Sequence, residues 1–203
     1  MDRLILASQS PRRRQILEQL RIPFLVRSAE VDEKRYSERE TRVRSLVMLI
    51  SKRKARAAAN HFSNGLVLGA DTVVFFNRRV LGQPRNADEA RKYLRMLSGN
   101  THQVYSGICV MNSADGSALF SCSCTSVRFR RLSEQQIRSY IEGEEWSGKA
   151  GAYAIQGEAA LFVECITGSF YNVMGLPVEE LYRLLSRYGY FSSKGKFTPI
   201  ESR

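Results

Sequence analysis

The sequence predicts an α/β protein: a mixed β-sheet with flanking helices, arranged as two lobes around a central cleft. Three observations carry this expectation. Short apolar runs alternate along the chain with segments of helical periodicity that bring their own capping residues. An Asp-Gly turn in "SADGS" joins two long strands, which makes the sheet partly antiparallel. Finally, 203 residues at 43% hydrophobic and 25% charged can bury a sizeable core in one domain or two small lobes.

The chain opens with "LILASQSPRRRQIL" (4–17), a strand running into a helix. Ser10 is placed to cap that helix, Pro11 suits its first position, and Ile16, Leu17 and Leu20 form an apolar stripe. Arg12, Arg13 and Arg14 then crowd a first turn whose amides favour negative charge, a mismatch of about 0.3–1 kcal/mol per cation. An anionic ligand would resolve it; three solvated arginines would leave it standing. "FLVRSAEVDE" (24–33) reads as a second strand with an acidic end, followed by a charged loop. From about 37 to 60 the spacing of Val43, Leu46, Val47 and Ile50 is helical, and Lys54 falls on the same stripe.

Residues 66–76, "LVLGADTVVFF", form an apolar run suited to a strand buried on both faces. In "NADEARKYLRMLSG", Asn86 and Glu89 make a capping-box pair and Gly99 is the stop. Strands are expected at about 102–112 and 117–130. "LSEQQIRSYIEG" repeats the helix pattern, with Ser133 and Gln136 as the box and Gly143 as the stop. A Gly-rich segment then leads to the strand "LFVECI", a turn at Thr167 and Gly168, and a last helix entered at Pro177. The expected organisation is one domain over 1–191 with a flexible tail over 192–203.

The formal net charge of +11 implies an anionic partner without choosing among nucleotides, nucleic acid and acidic lipid. The four cysteines lack paired Cys-x-x-Cys spacing, so a structural zinc site is not expected and a reducing, cytoplasmic setting is. No apolar run reaches the roughly 20 residues of a spanning helix, and "LILA" is too short for a signal-peptide core. No membrane partner is expected.

Asp71 is the sharpest chemical signal, because burying a carboxylate in an apolar strand is costly unless a cation, a metal or hydrogen bonds offset it. It is either a general base or metal ligand, or a strand-end aspartate bonding nearby amides. Lys54 is a candidate phosphate contact or a snorkelling surface lysine. Glu33 could join Asp71 around Mg²⁺, which is usually held by one or two carboxylates plus substrate phosphates. The glycines around Lys149 and Gln156 would allow close backbone approach to a ligand, or merely turn the chain. Neither a P-loop nor a G-x-G-x-x-G motif is present, and no nucleophile elbow.

Taken together, "LILASQSPRRRQIL", "KRKARA", "LGADTVV", "LSGNTHQVYSGI", "GKAGAYAIQG" and "GSFYNVMGLPVEEL" occur in an order that closely resembles the Maf family of nucleoside triphosphate pyrophosphatases, from Leu4 to about Leu185. The resemblance implies a Maf/ITPase-like fold and hydrolysis between the α and β phosphates with Mg²⁺ or Mn²⁺. It makes Asp71 the proton acceptor, with Glu33 as a second metal ligand. Ser8, Ser10, Arg12, Arg13, Lys54, Gln83 and Lys149 become the substrate and phosphate contacts. Arg12, Thr72 and Gln156 look like the specificity set of the branch acting on dTTP and UTP, and a glutamine amide offers a pyrimidine edge both a donor and an acceptor.

A homodimer with no stable nucleic-acid partner is also implied. Two positions depart from the family pattern: Gln83 stands where a lysine is common, and Gly148 where an acid is. Arg14 or Arg85 is the expected substitute for the missing cation. A basic nucleic-acid-binding module and a catalytically silent nucleotide-binding homologue are the rival readings.

Overall fold

In a computed structural model, which describes residues 4–28, 31–32 and 42–191, the chain forms a seven-stranded mixed sheet with flanking helices. The strands are β1 (Leu4–Leu6), β2 (Phe24–Val26), β3 (Leu66–Phe76), β4 (Arg79–Leu81), β5 (Thr101–Asn112), β6 (Ala118–Phe129) and β7 (Val163–Thr167). The helices are α1 (Pro11–Gln19), α2 (Val43–Ala59), α3 (Ala87–Leu97), α4 (Glu134–Glu142), α5 (Phe170–Met174) and α6 (Val178–Arg187). The strand order is β2-β1-β3-β5-β6-β7, with β4 paired to β3. β1 runs parallel to both β2 and β3, whereas β3–β4 and β6–β7 are antiparallel, so the predicted mixture is present. The tail expected over 192–203 lies outside the described residues, as does Glu33.

Several expected boundaries move. The second strand ends at Val26 instead of reaching residue 33, and the helix expected from residue 37 has its first described turn at Val43. Ser10 occupies the N-cap position of α1, yet its side chain makes no capping bond; the Ser8 hydroxyl instead accepts the Ser10 amide at 3.2 Å. The Ser133–Gln136 capping box is complete, whereas the Asn86 box is half made. Glu89 turns its carboxylate to the amide and guanidinium of Arg85, an alternative that a charged neighbour makes stronger than a second cap bond. Gly143 ends α4 with ordinary right-handed φ, and the left-handed step falls one residue later on Glu144. The short helix α5 was not expected.

The chain divides into two compact units, one made of residues 1–71, 107–123 and 175–203, the other of 72–106 and 124–174. In the first, β1 and β3 are buried along their paired length, and a cluster of Ile5, Ala7, Ala55, Ala58, Val67, Cys109 and Met111 fills the space beneath α2. Two glycines set the depth of that packing. A Cβ on Gly69 would lie 2.1 Å from the Ser51 carbonyl oxygen, and one on Gly107 2.4 Å from the Val47 carbonyl. Only the bare backbone at these points lets α2 rest on the sheet.

In the second unit an aromatic cluster surrounds His102, whose ring meets Phe129 and Tyr153 edge-on at 5.0 and 5.4 Å. His102 Nε2 hydrogen-bonds the Tyr153 hydroxyl at 2.8 Å, while Nδ1 is buried with no partner among the described residues. Burial pushes the imidazole pKa down to about 4. The unfolded chain therefore binds a proton below about pH 6.5 that the folded chain refuses, so stability is whole above that pH and declines towards pH 4. The loss is on the order of 3 kcal/mol at about 1.4 kcal/mol per unit. Urea unfolding at pH 7.5 and pH 4.5 is expected to show this loss in the wild type and a smaller one in His102→Gln.

All four cysteines are free thiols. Cys109 is buried, and burial pushes its thiol up to about 12; Cys122 is half-buried, and Cys124 and Cys165 are exposed.

Candidate active site

Asp71 lies on β3 three residues beyond Leu68, which is paired with Leu6 of β1. The parallel neighbour β1 ends there, and its chain turns through Ser8 into α1. Thus the carboxyl end of one strand, the start of a helix and a buried carboxylate belong to one corner of the first unit, the position where open parallel sheets place ligands. Asp71 is 4% exposed. Lys54, projecting from α2, donates to its Oδ1 at 2.9 Å, both side chains being largely out of water. Lys54 can reach because Gly69 lets α2 approach the strand backbone beside Ser51, one turn before the lysine, and Ala55, the residue after it. Of the two open readings of Asp71, the strand-end aspartate bonded to backbone amides does not fit: its partner is an ammonium, and Oδ2 accepts no hydrogen bond among the described residues.

The three arginines of the first turn have separate fates. Arg13 is buried, donating from Nε to the Gly175 carbonyl at 2.8 Å and from a terminal nitrogen to the Ser8 hydroxyl at 2.9 Å. It ties the helix start to the chain just before α6, which a solvated arginine would not do. Arg12 and Arg14 are half-buried. The Ser8 hydroxyl, receiving both the Arg13 guanidinium and the Ser10 amide, fixes the loop that presents the first α1 amides. A helix start of this kind favours an anion through its unsatisfied amides, and the guanidiniums add charge.

Ser8, Ser10, Arg12, Arg13, Lys54 and Asp71 therefore fall in the first unit, and Thr72, Gln83, Lys149 and Gln156 in the second. Gln83 and Gln156 are exposed. Lys149 is half-buried and donates from Nζ to the Ser147 carbonyl at 2.9 Å. Arg85, one of the two expected substitutes for the missing cation, holds a bidentate contact with Glu89 at 3.0 and 3.1 Å.

Sequence reasoning missed what stands behind Thr72. Its hydroxyl meets Ser106 Oγ at 2.8 Å, and Ser106 Oγ donates to the Asn172 carbonyl at 3.2 Å. Asn172, fully buried, donates from Nδ2 to Val104 O and Thr125 Oγ1, each at 2.9 Å. The residue pattern gave no clear signal, because Ser106 and Thr125 are only two of several polar residues in β5 and β6. Buried hydroxyls need partners, and here they find one another.

A magnesium or manganese ion fits this chemistry on one count. Asp71 offers a hard oxygen donor in Oδ2, which accepts no hydrogen bond among the described residues, although no group of three metal-binding side chains occurs among them. Substrate phosphates ordinarily complete such a site. Nor is any helix among the described residues long and apolar enough to cross a membrane.

These features define a mixed α/β protein with a buried Lys-Asp centre next to a basic helix start. The chain belongs to the Maf family: the model for that family, described as Maf-like protein, matches residues 3–188. A dTTP/UTP pyrophosphatase of Clostridium perfringens is 45% identical over 187 residues, covering 92% of this chain and 97% of that protein. One from Geobacillus is 43% identical over 190 residues, covering 94% and 100%. Among solved structures, that of a HAM1 protein from Coxiella burnetii is 17% identical with a TM-score of 0.47, covering 92% of this chain and all of that one, too slight a likeness to bear on function.

Proposed function

We propose that this protein is a nucleoside triphosphate pyrophosphatase that hydrolyses dTTP and UTP to the monophosphate and pyrophosphate. The observation that carries this reading is the buried pair of Lys54 and Asp71 at 2.9 Å, in a Maf-family chain whose relatives bear that activity in their names. The Asp71 carboxylate takes the proton of a water that attacks the α-phosphorus, and the β,γ-pyrophosphate leaves. Lys54 orients the carboxylate and offsets phosphate charge, the α1 amides and Arg12 hold phosphoryl oxygens, and Arg13 positions the loop that presents them. Arg12, Thr72 and Gln156 read the pyrimidine, with Gln83 and Lys149 as further contacts.

The reading includes a divalent cation held by Asp71, by Glu33 and by the phosphates, which when bound supplies charge neutralisation at the α-phosphate. It also includes a cytoplasmic location and a homodimer. A panel of triphosphates, assayed with Mg²⁺, with Mn²⁺ and with chelator, tests the proposal. UTP and dTTP are expected to yield pyrophosphate in a metal-dependent way and faster than ATP or GTP. Release of orthophosphate, or no turnover alongside steeply salt-dependent binding of polynucleotide, would favour the rival readings instead.

A further inference from the structure

We infer that a second ligand site lies on the flank of α2 away from Lys54 and takes a nucleoside monophosphate. A concavity of about 560 Å³ opens there, within the range of about 300–1,000 Å³ usual for small-molecule sites. Its lining joins cations and aromatic rings: Lys52 and Arg56 from α2, Phe62 just after it, and Phe120 from β6. Lys52 and Arg56 stand one turn apart on one helix face, and Lys54, two residues from each, points elsewhere to Asp71. All these residues belong to the first unit.

Charge and shape agree on the ligand. No acidic residue lines the cavity, and neither Lys52 nor Arg56 has a carboxylate partner among the described residues. Like charges at this spacing repel, so an anion between them is stabilising. Phe62 and Phe120, half-buried against the Ile5 and Met111 cluster, give the floor flat apolar faces, and the Lys52 ammonium sits 5.2 Å from the centre of the Phe120 ring. A ring stacked on that floor places an attached phosphate within reach of both cations. Asn112 is 5% exposed and lines the same cavity; its Oδ1 accepts the Ala114 amide, and its side chain also hydrogen-bonds the Asp115 carboxylate, which holds the cavity wall in place. One pair of cations matches one phosphate, which favours a free mononucleotide over a strand. The choice of nucleotide among aromatic anions rests on the proposed reaction, whose product it is; the cavity does not.

Equilibrium dialysis of labelled UMP against the full chain tests this, using wild type, the Lys52→Ala/Arg56→Ala double variant and Lys54→Ala. Wild type is expected to bind UMP at a site that the double variant weakens by about tenfold or more and Lys54→Ala retains. UTP kcat of the double variant stays near the wild-type value. Equal UMP stoichiometry and affinity in wild type and double variant would overturn the inference, as would an oligouridylate that binds the same residues far more tightly than UMP with steep salt dependence. UMP binding that depends on Lys52 and Arg56 in a protein that does not hydrolyse UTP would keep this site and remove the proposed activity. Hydrolysis without such binding would do the reverse.

Discussion

Asp71→Asn is expected to lower kcat for UTP by about 10²–10⁴-fold, the range for loss of a general base, while KM changes little. The fold should survive, because the Asn side-chain carbonyl can still accept the Lys54 hydrogen bond now made at 2.9 Å. Asp71→Leu separates the two roles. It removes the carboxylate that Lys54 contacts in a largely buried setting, so it should also lower stability, which Asp71→Asn should not. Steady-state kinetics paired with urea unfolding of both variants checks this. An Asn variant that turns over UTP at the wild-type rate would end the assignment of Asp71.

The second large effect is expected at a residue with no side chain. In Gly69→Ala the new Cβ would lie 2.1 Å from Ser51 O and 2.7 Å from Ala55 N, both backbone atoms that cannot swing aside. The helix must lift, which costs at least about 3 kcal/mol, at the upper end for overpacking. Lys54, one turn beyond Ser51, is carried off Asp71 with it, so the folded fraction should also lose kcat. Gly82→Ala is the comparison: its Cβ meets nothing within 4 Å, and it should shift stability by less than about 1 kcal/mol. Denaturation midpoints together with activity of the folded protein read both effects.

Much of this was legible in the sequence because the signals were local. The strand around Asp71, the SADGS hairpin between β5 and β6, and the complete Ser133–Gln136 box each follow from residue types within a few positions. The stripe that carries Leu46 and Ile50 also placed Lys54 on the sheet-facing side, so the sequence pointed at both halves of the ion pair. It did not join them, because the two residues meet only through the packing of α2 on β3, and nothing in the residue pattern marks Gly69 as the point that sets the distance. Long-range partners were hidden for the same reason. Arg13 reads as one of three equal arginines until Gly175, 162 residues away, supplies its acceptor. Likewise, Thr72 gives no sign in the sequence of Ser106 and Asn172 behind it. Glu33 lies outside the described residues, and its place as a metal ligand rests on the family resemblance.

The central claim is that a water activated at Asp71 attacks the α-phosphorus of a pyrimidine triphosphate. Hydrolysis of UTP in ¹⁸O-labelled water, with the products resolved by mass spectrometry, tests it most directly. The account predicts one labelled oxygen in UMP, unlabelled pyrophosphate, and loss of this labelling with Asp71→Asn. Label appearing in pyrophosphate or orthophosphate would contradict it.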